Sequence, residues 1–246
     1  MIKDTFLFFI ELHVLCDFYF QTETMAVKKQ TELKWVFYHS VLYGIAAALI
    51  FLFFMPGLNG KYVAFFCFSH GVIDVVKYFC KLKLPFCQNE RNLFVADQVL
   101  HVFVVVMIVY DIRNLDLEML YCPEIKGILG ALGISEKVLL VWTARFLLIH
   151  KPMNILITHI LSFYKQQENN GQNTNDKNAG RFIGTLERII ISIFMSLNQF
   201  SAIGLVLTAK SIARYDRITA DPYFAEYYLL GTLLSTIGAV CVSLIF

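Results

Sequence analysis

Apolar and polar positions fall along this chain in long blocks rather than in short alternations. Seven apolar segments stand out, at about 4–20, 35–55, 62–80, 93–111, 137–160, 182–209 and 225–246. Several run for roughly 18 to 22 residues with few charges, the length that crosses a hydrocarbon core of about 30 Å. Backbone groups in lipid have no water to bond, so each such segment predicts a helix. The first is short and polar on one face, which predicts a tilted or partial insertion. The expected fold is all-α, a polytopic membrane helical bundle of about seven transmembrane segments.

The polar blocks differ in character. "QTETMAVKKQTELK" is basic, "MPGLNGK" reads as a tight turn, "KLKLPFCQNERN" is basic again, and 111–136 is longer and mostly acidic. Residues 165–180, "KQQENNGQNTNDKNAG", hold no large apolar side chain and predict a mobile linker. The expected organisation is a four-helix polar-site bundle over 1–112, then an amphipathic connection and fifth helix over 113–164. The linker at 165–180 follows, and two C-terminal transmembrane helices occupy 181–246. Lys28, Lys29, Lys34, Lys81, Lys83 and Arg91 fill the first and third connections, against Lys61 in the second. Lysine and arginine collect on the cytoplasmic side, which sets the N-terminus outside. Lys210, Arg214 and Arg217 in the sixth connection weigh the other way.

Composition agrees with the pattern. Of 246 residues 57% are hydrophobic and 16% charged, against about 25% charged in soluble domains. An ordinary soluble domain is excluded. The net charge of +2 is small and spread out, which argues against a nucleic-acid partner. Six cysteines include no CxxC and mostly lie in apolar segments, so neither a disulfide framework nor a zinc knuckle is expected. The start lacks the basic stretch and cleavage site of a signal peptide, so the first helix is expected to be retained in the membrane.

Chemistry enters with the polar residues inside the apolar blocks. "FIELHVLCDFYFQTE" carries His13, Asp17 and Gln21 at intervals of four. His70 with Asp74, and Asp97 with His101, repeat the four-residue spacing, and His39 adds an imidazole from the second segment. On a helix such positions share a face one turn apart. All of them lie near the segment ends that meet the first and third connections, so they are expected to gather at one depth. Ionisable groups inside a membrane are costly and mark functional interiors. His13, Asp17, His39, His70, Asp74, Asp97 and His101 form a ligand set for zinc, manganese or iron, as one metal or two. Lys77, three residues after Asp74, can meet an anionic substrate group. The plain alternative is a network of buried polar groups that only fixes packing. Haem with paired histidine ligands is another, but it leaves the aspartates without a role.

These residues resemble an uncharacterised family of bacterial integral-membrane proteins, catalogued as a domain of unknown function. Its pattern reads H-x3-DF-x2-Q, a lysine after MA, a lone H, H-x3-D-x2-K and DQ-x2-H. Here those are His13-Asp17-Phe18-Gln21, "MAVKK", His39, His70-Asp74-Lys77 and Asp97-Gln98-His101. A longer form of the family looks similar to this chain at "AGRFIGTLERII", "AKSIARY" and "EYYLLGTLLS". The resemblance implies a small polytopic helical protein of the bacterial cytoplasmic membrane and brings no established activity.

In the C-terminal half, Pro152 is expected to kink or end the fifth helix. His150 and His159 have no carboxylate at helical spacing and read as interfacial. Glu187, Arg188, Lys210, Arg214 and Glu226 sit at the ends of the last two segments. They read either as an ion-pair clamp or as a cationic seat for a lipid phosphate.

The leading expectation is a metal-dependent membrane hydrolase acting on a lipid-linked phosphate or a membrane peptide, with Asp97, Asp17 and Lys77 as catalytic candidates. A proton- or cation-coupled carrier or channel using the same polar file is one rival. A non-catalytic membrane interaction protein is the other.

Overall fold

Helix starts follow the side chains able to cap them. Thr22 accepts the backbone N–H of Met25 at 3.2 Å, Asn59 that of Lys61 at 3.0 Å, and Asn89 that of Arg91 at 3.2 Å. Each satisfies a donor that the first helical turn leaves open. The computed structural model describes residues 2–84, 89–115, 123–162, 164 and 174–246. Among these, every regular element is helical.

The first helix, α1 (Ile2–Val14), runs directly into a π-helical turn, Leu15–Tyr19. It is followed by α2 (Glu23–Lys28), α3 (Leu33–Phe54), α4 (Gly60–Lys83) and α5 (Glu90–Ile112). The chain continues through α6 (Pro123–Ala131), α7 (Glu136–Ile149), α8 (Lys151–Leu161), α9 (Thr174–Ser196), α10 (Phe200–Ile212), α11 (Tyr215–Ala220) and α12 (Pro222–Ile245).

Four described helices, α3, α4, α5 and α12, are long and apolar enough to cross a membrane, where the apolar pattern suggests seven segments. Two of the expected segments are broken. The fifth breaks at His150, between α7 and α8, with Pro152 in the first turn of α8, where its missing N–H costs nothing. The sixth breaks between α9 and α10 at Asn198, which holds φ at 55°, a left-handed conformation that asparagine tolerates better than most residues. Of the expected linker, 165–173 lie outside the described residues and 174–180 form the opening turns of α9.

The chain divides into two units, Met1–Ala144 and Arg145–Phe246. In the first, α1 packs on α3 and α5, α3 on α4, and α4 on α5, closing a ring of four. In the second, α9 and α12 pack together, with α8 against both and α10 on α9.

The ring has two kinds of interior. One end is filled by Leu7, Phe9, Phe51, Phe66, Val105 and Ile108, all buried. Phe9 lies 4.9 Å from Phe51 and 5.4 Å from Phe66, ring centre to ring centre. The other end holds buried histidines and aspartates. The outer surface is apolar: Phe37, Leu52, Phe68, Val99 and Phe103 are each more than half exposed. Large apolar faces of that kind on a monomer mark contact with lipid or protein.

Candidate metal centre

The seven candidate ligands converge. His13, Asp17, His39, His70, Asp74, Asp97 and His101 are all buried in the ring, contributed by α1 and its π turn, α3, α4 and α5. The π turn explains how Asp17 gets there. Phe20 donates its N–H to the Leu15 carbonyl at 3.1 Å, and the wider turn carries Cys16, Asp17 and Phe18 inward in succession. Single π turns inside helices recur at functional sites.

Helix-mates are not the bonded pairs. The His70–Asp74 and Asp97–His101 side chains approach only to 3.7 and 3.8 Å. His101 Nδ1 instead lies 2.8 Å from the Asp97 carbonyl oxygen. His13 lies against Tyr43 Oη at 3.2 Å and Gln98 Oε1 at 3.4 Å. The short side-chain to side-chain contacts of the histidines run between helices, because side chains one turn apart lie side by side and aim at the same interior rather than at each other.

One set centres on His39 Nε2. His39 Nε2 is 3.1 Å from Asp17 Oδ1, 3.2 Å from His70 Nε2 and 3.6 Å from Asp74 Oδ2. His70 Nε2 is 3.7 Å from the same Asp74 oxygen. Around a tetrahedral metal bound at 2.0–2.2 Å, ligand atoms sit about 3.3 Å apart. Ligand atoms of Asp17, His39 and His70 all lie within 4.8 Å of one another, a spacing that fits one divalent cation shared by two imidazoles and a carboxylate, with Asp74 beside the two histidines. A proton can lie between only two of these atoms, whereas an ion answers all three lone pairs together. Two further atoms, Asp97 Oδ1 and His101 Nε2, are buried without a hydrogen-bond partner among the described residues. Asp74, Asp97 and His101 can bring ligand atoms within 4.8 Å of one another, as can His13, His70 and His101. His39 Nδ1 and His70 Nδ1 also have no partner among the described residues, so packing orients the rings. Tyr43 stacks on His70 at 3.6 Å and 7°, and His13 stacks on His101 at 4.7 Å and 21°.

Three participants enter alongside the seven. Lys29, just past α2, reaches Asp74 Oδ2 at 3.3 Å and Asp17 Oδ1 at 3.6 Å. Burial alone would lower its pKa, but the Asp17 and Asp74 charges outweigh that and raise it, so Lys29 keeps its charge. Gln98 donates to Asp97 Oδ2 at 3.1 Å and to Asp17 Oδ2 at 3.4 Å. Tyr43 lies four residues after His39, so the periodicity that selects the histidine–aspartate pairs also reaches it. Lys29 lies in "MAVKK", the lysine-after-MA part of the resemblance, and otherwise reads as one more cation in a basic connection. Lys77, expected to face substrate, donates to Asp97 Oδ2 at 2.7 Å. Gln21, on the first polar stripe, is half-buried with its Oε1 unbonded among the described residues.

The five charged residues of the second half do not form one cluster. Lys210 donates to Glu187 at 2.6 Å and to Thr232 at 3.1 Å, tying α9, α10 and α12 together. Arg188 is fully buried and spends its donors on protein: the Ile149 carbonyl at 2.7 Å, Ser235 at 3.0 Å and Asn154 at 2.6 Å. Arg214 stands at the N-cap of α11, and Glu226 is exposed. Among these residues the ion pair is the observed feature.

Fold and site together define a membrane-type helical protein whose buried histidine and aspartate groups can hold a metal ion. Residues 5–124 match the model of a family described as "Protein of unknown function (DUF3307)", and every residue of the centre lies inside that match. No curated protein and no solved structure matches the chain.

Proposed function

We propose that this chain is a metal-dependent membrane hydrolase, acting on a lipid-linked phosphate or a membrane peptide at the ring's buried centre. One observation carries the reading. Two imidazole nitrogens and a carboxylate oxygen from three separate stretches of chain, those of His39, His70 and Asp17, lie within 4.8 Å of one another. Asp17, His39 and His70 would hold the ion, with Asp74 close to both histidines. When bound, such an ion lowers the pKa of water toward about 7 and polarises a substrate oxygen.

The chain supplies the rest. Asp97 keeps Oδ1 unbonded while Lys77 and Gln98 hold Oδ2. That leaves one oxygen to take a proton from water, the role of a general base. Lys77 and Lys29 steady negative charge that develops on substrate. His13 and His101 line the same interior, and Tyr43 fixes His70 in place. The lysine-rich connections favour the cytoplasmic leaflet for this half of the ring. A carrier would need a polar route through the whole ring, and Phe9, Phe51 and Phe66 stand in that route.

The test is elemental analysis of detergent-purified protein beside His70→Ala. The wild type should retain about one divalent transition metal per chain, and the variant should lose it while staying folded. A wild type that binds no zinc, manganese or iron on reloading would sink the reading, and a mere drop in thermal stability of the variant would favour a packing network.

A further inference from the structure

The geometry points to a substrate class, and on the metal-centre reading above we propose that the group acted upon is a phosphate, gripped by Lys29 and Lys77. Both lysines pair with carboxylates of the centre, Lys29 with Asp17 and Asp74, Lys77 with Asp97. In each pair the lysine is the more accessible partner. The side chains of Lys29 and Lys77 are 13% and 27% exposed, those of Asp17, Asp74 and Asp97 at most 8%. A group arriving from outside meets ammonium before it meets carboxylate. The two cations come from different elements, one beyond α2 and one on α4, and both reach the same end of the ring.

Charge narrows the choice. Three carboxylates face two ammonium groups, which leaves one negative charge. A divalent cation held by neutral histidines turns that into one positive charge. While the water at the ion is neutral, a peptide leaves that surplus buried, which is costly. A phosphate diester, or a monoester carrying a single charge, brings the missing negative charge with it.

Lys29 adds a second reason. Its Nζ lies 3.6 Å from Asp17 Oδ1 and 3.3 Å from Asp74 Oδ2, the same oxygens that approach His39 Nε2. A cation seated there repels the ammonium across a few ångströms of poorly solvated interior. A phosphate oxygen set between the ion and Lys29 converts that repulsion into two attractions. The Gln98 amide, already donating toward Asp17 and Asp97, lies within the same group. Ammonium groups are established phosphate binders acting as point charges. At rest they neutralise aspartates, and with substrate they exchange partners.

Binding of orthophosphate to manganese-loaded protein, followed by calorimetry with metal content measured on the same sample, tests this. Nanodiscs of phosphatidic acid and of phosphatidylcholine run beside it. Phosphate should bind only with metal present, and Lys77→Gln or Lys29→Gln should weaken it at least about tenfold with metal content unchanged. Lys77→Arg and Lys29→Arg keep the charge and should hold affinity within a few-fold, which separates lost recognition from a lost fold. Orthophosphate binding that is equal in both nanodiscs identifies a soluble phosphate, whereas saturable metal-dependent binding to phosphatidic acid alone identifies a lipid headgroup. Either supports the proposal. Metal-loaded protein that ignores both ligands, or binds them equally well in the glutamine variants, overturns it and leaves the metal reading standing. Absence of metal in the wild type overturns both.

Discussion

Tyr43 shows how one side chain serves the centre without touching an ion. Its hydroxyl lies 3.2 Å from His13 Nδ1, and its ring covers His70 at 3.6 Å. Tyr43→Phe separates the two contributions, removing the hydroxyl and keeping the ring. Loss of one buried hydrogen bond should cost about 1–3 kcal/mol in unfolding measurements. Metal affinity, read by competition with a chelator, should hold within a few-fold, because the hydroxyl's partner His13 is outside the assigned ligands and the ring stack behind His70 remains. A fall of about tenfold or more would bring His13 into the ligand set. At this scale the sequence is legible where chemistry repeats at helical spacing: period selects His13, Asp17, His70, Asp74, Asp97 and His101, and all of them are buried together. Period says which face a side chain shares but nothing of which neighbouring helix it meets. The His39–Asp17 and His39–His70 contacts, and the reach of Lys29, therefore emerge only with the fold.

Among the elements, the π turn at Leu15–Tyr19 has the most direct bearing on the centre. Deleting Tyr19 shortens the Leu15-to-Phe20 closure to α-helical spacing, and rotates Asp17 relative to the downstream chain by about 100°, one residue's worth of helix. The helix content by circular dichroism should hold while bound metal is lost. Retained metal would show that ordinary helical geometry suffices to present Asp17. No residue in "LCDFY" announces such a turn, since it arises from packing three inward side chains in a row. Other breaks divide in the same way. The break at His150 follows from Pro152, whose ring cannot sit mid-helix. The break at Asn198 falls in "SLNQF", which holds neither proline nor glycine, so only the backbone itself reveals it.

For the molecule as a whole, composition and block length are enough to expect helices and a membrane. The number of spans is harder, because apolar length alone counts broken helices as whole ones: α9 and α10 share one apolar block, and so do α7 and α8. The ring of α1, α3, α4 and α5 carries a further expectation. In proteoliposomes with an internal pH dye, an imposed proton gradient should decay no faster than in empty vesicles, with or without metal. Rapid collapse, abolished by His39→Ala, would revive the carrier reading.

Behind that expectation stand Phe9, Phe51 and Phe66, packed across the ring below the histidines. Under the proposed chemistry they would serve as an insulator. Water-using chemistry sunk into a membrane threatens a short circuit, since any chain of wet, titrating groups that spans it would drain the stored voltage. A dry aromatic stopper lets such a workshop sit inside the barrier without puncturing it.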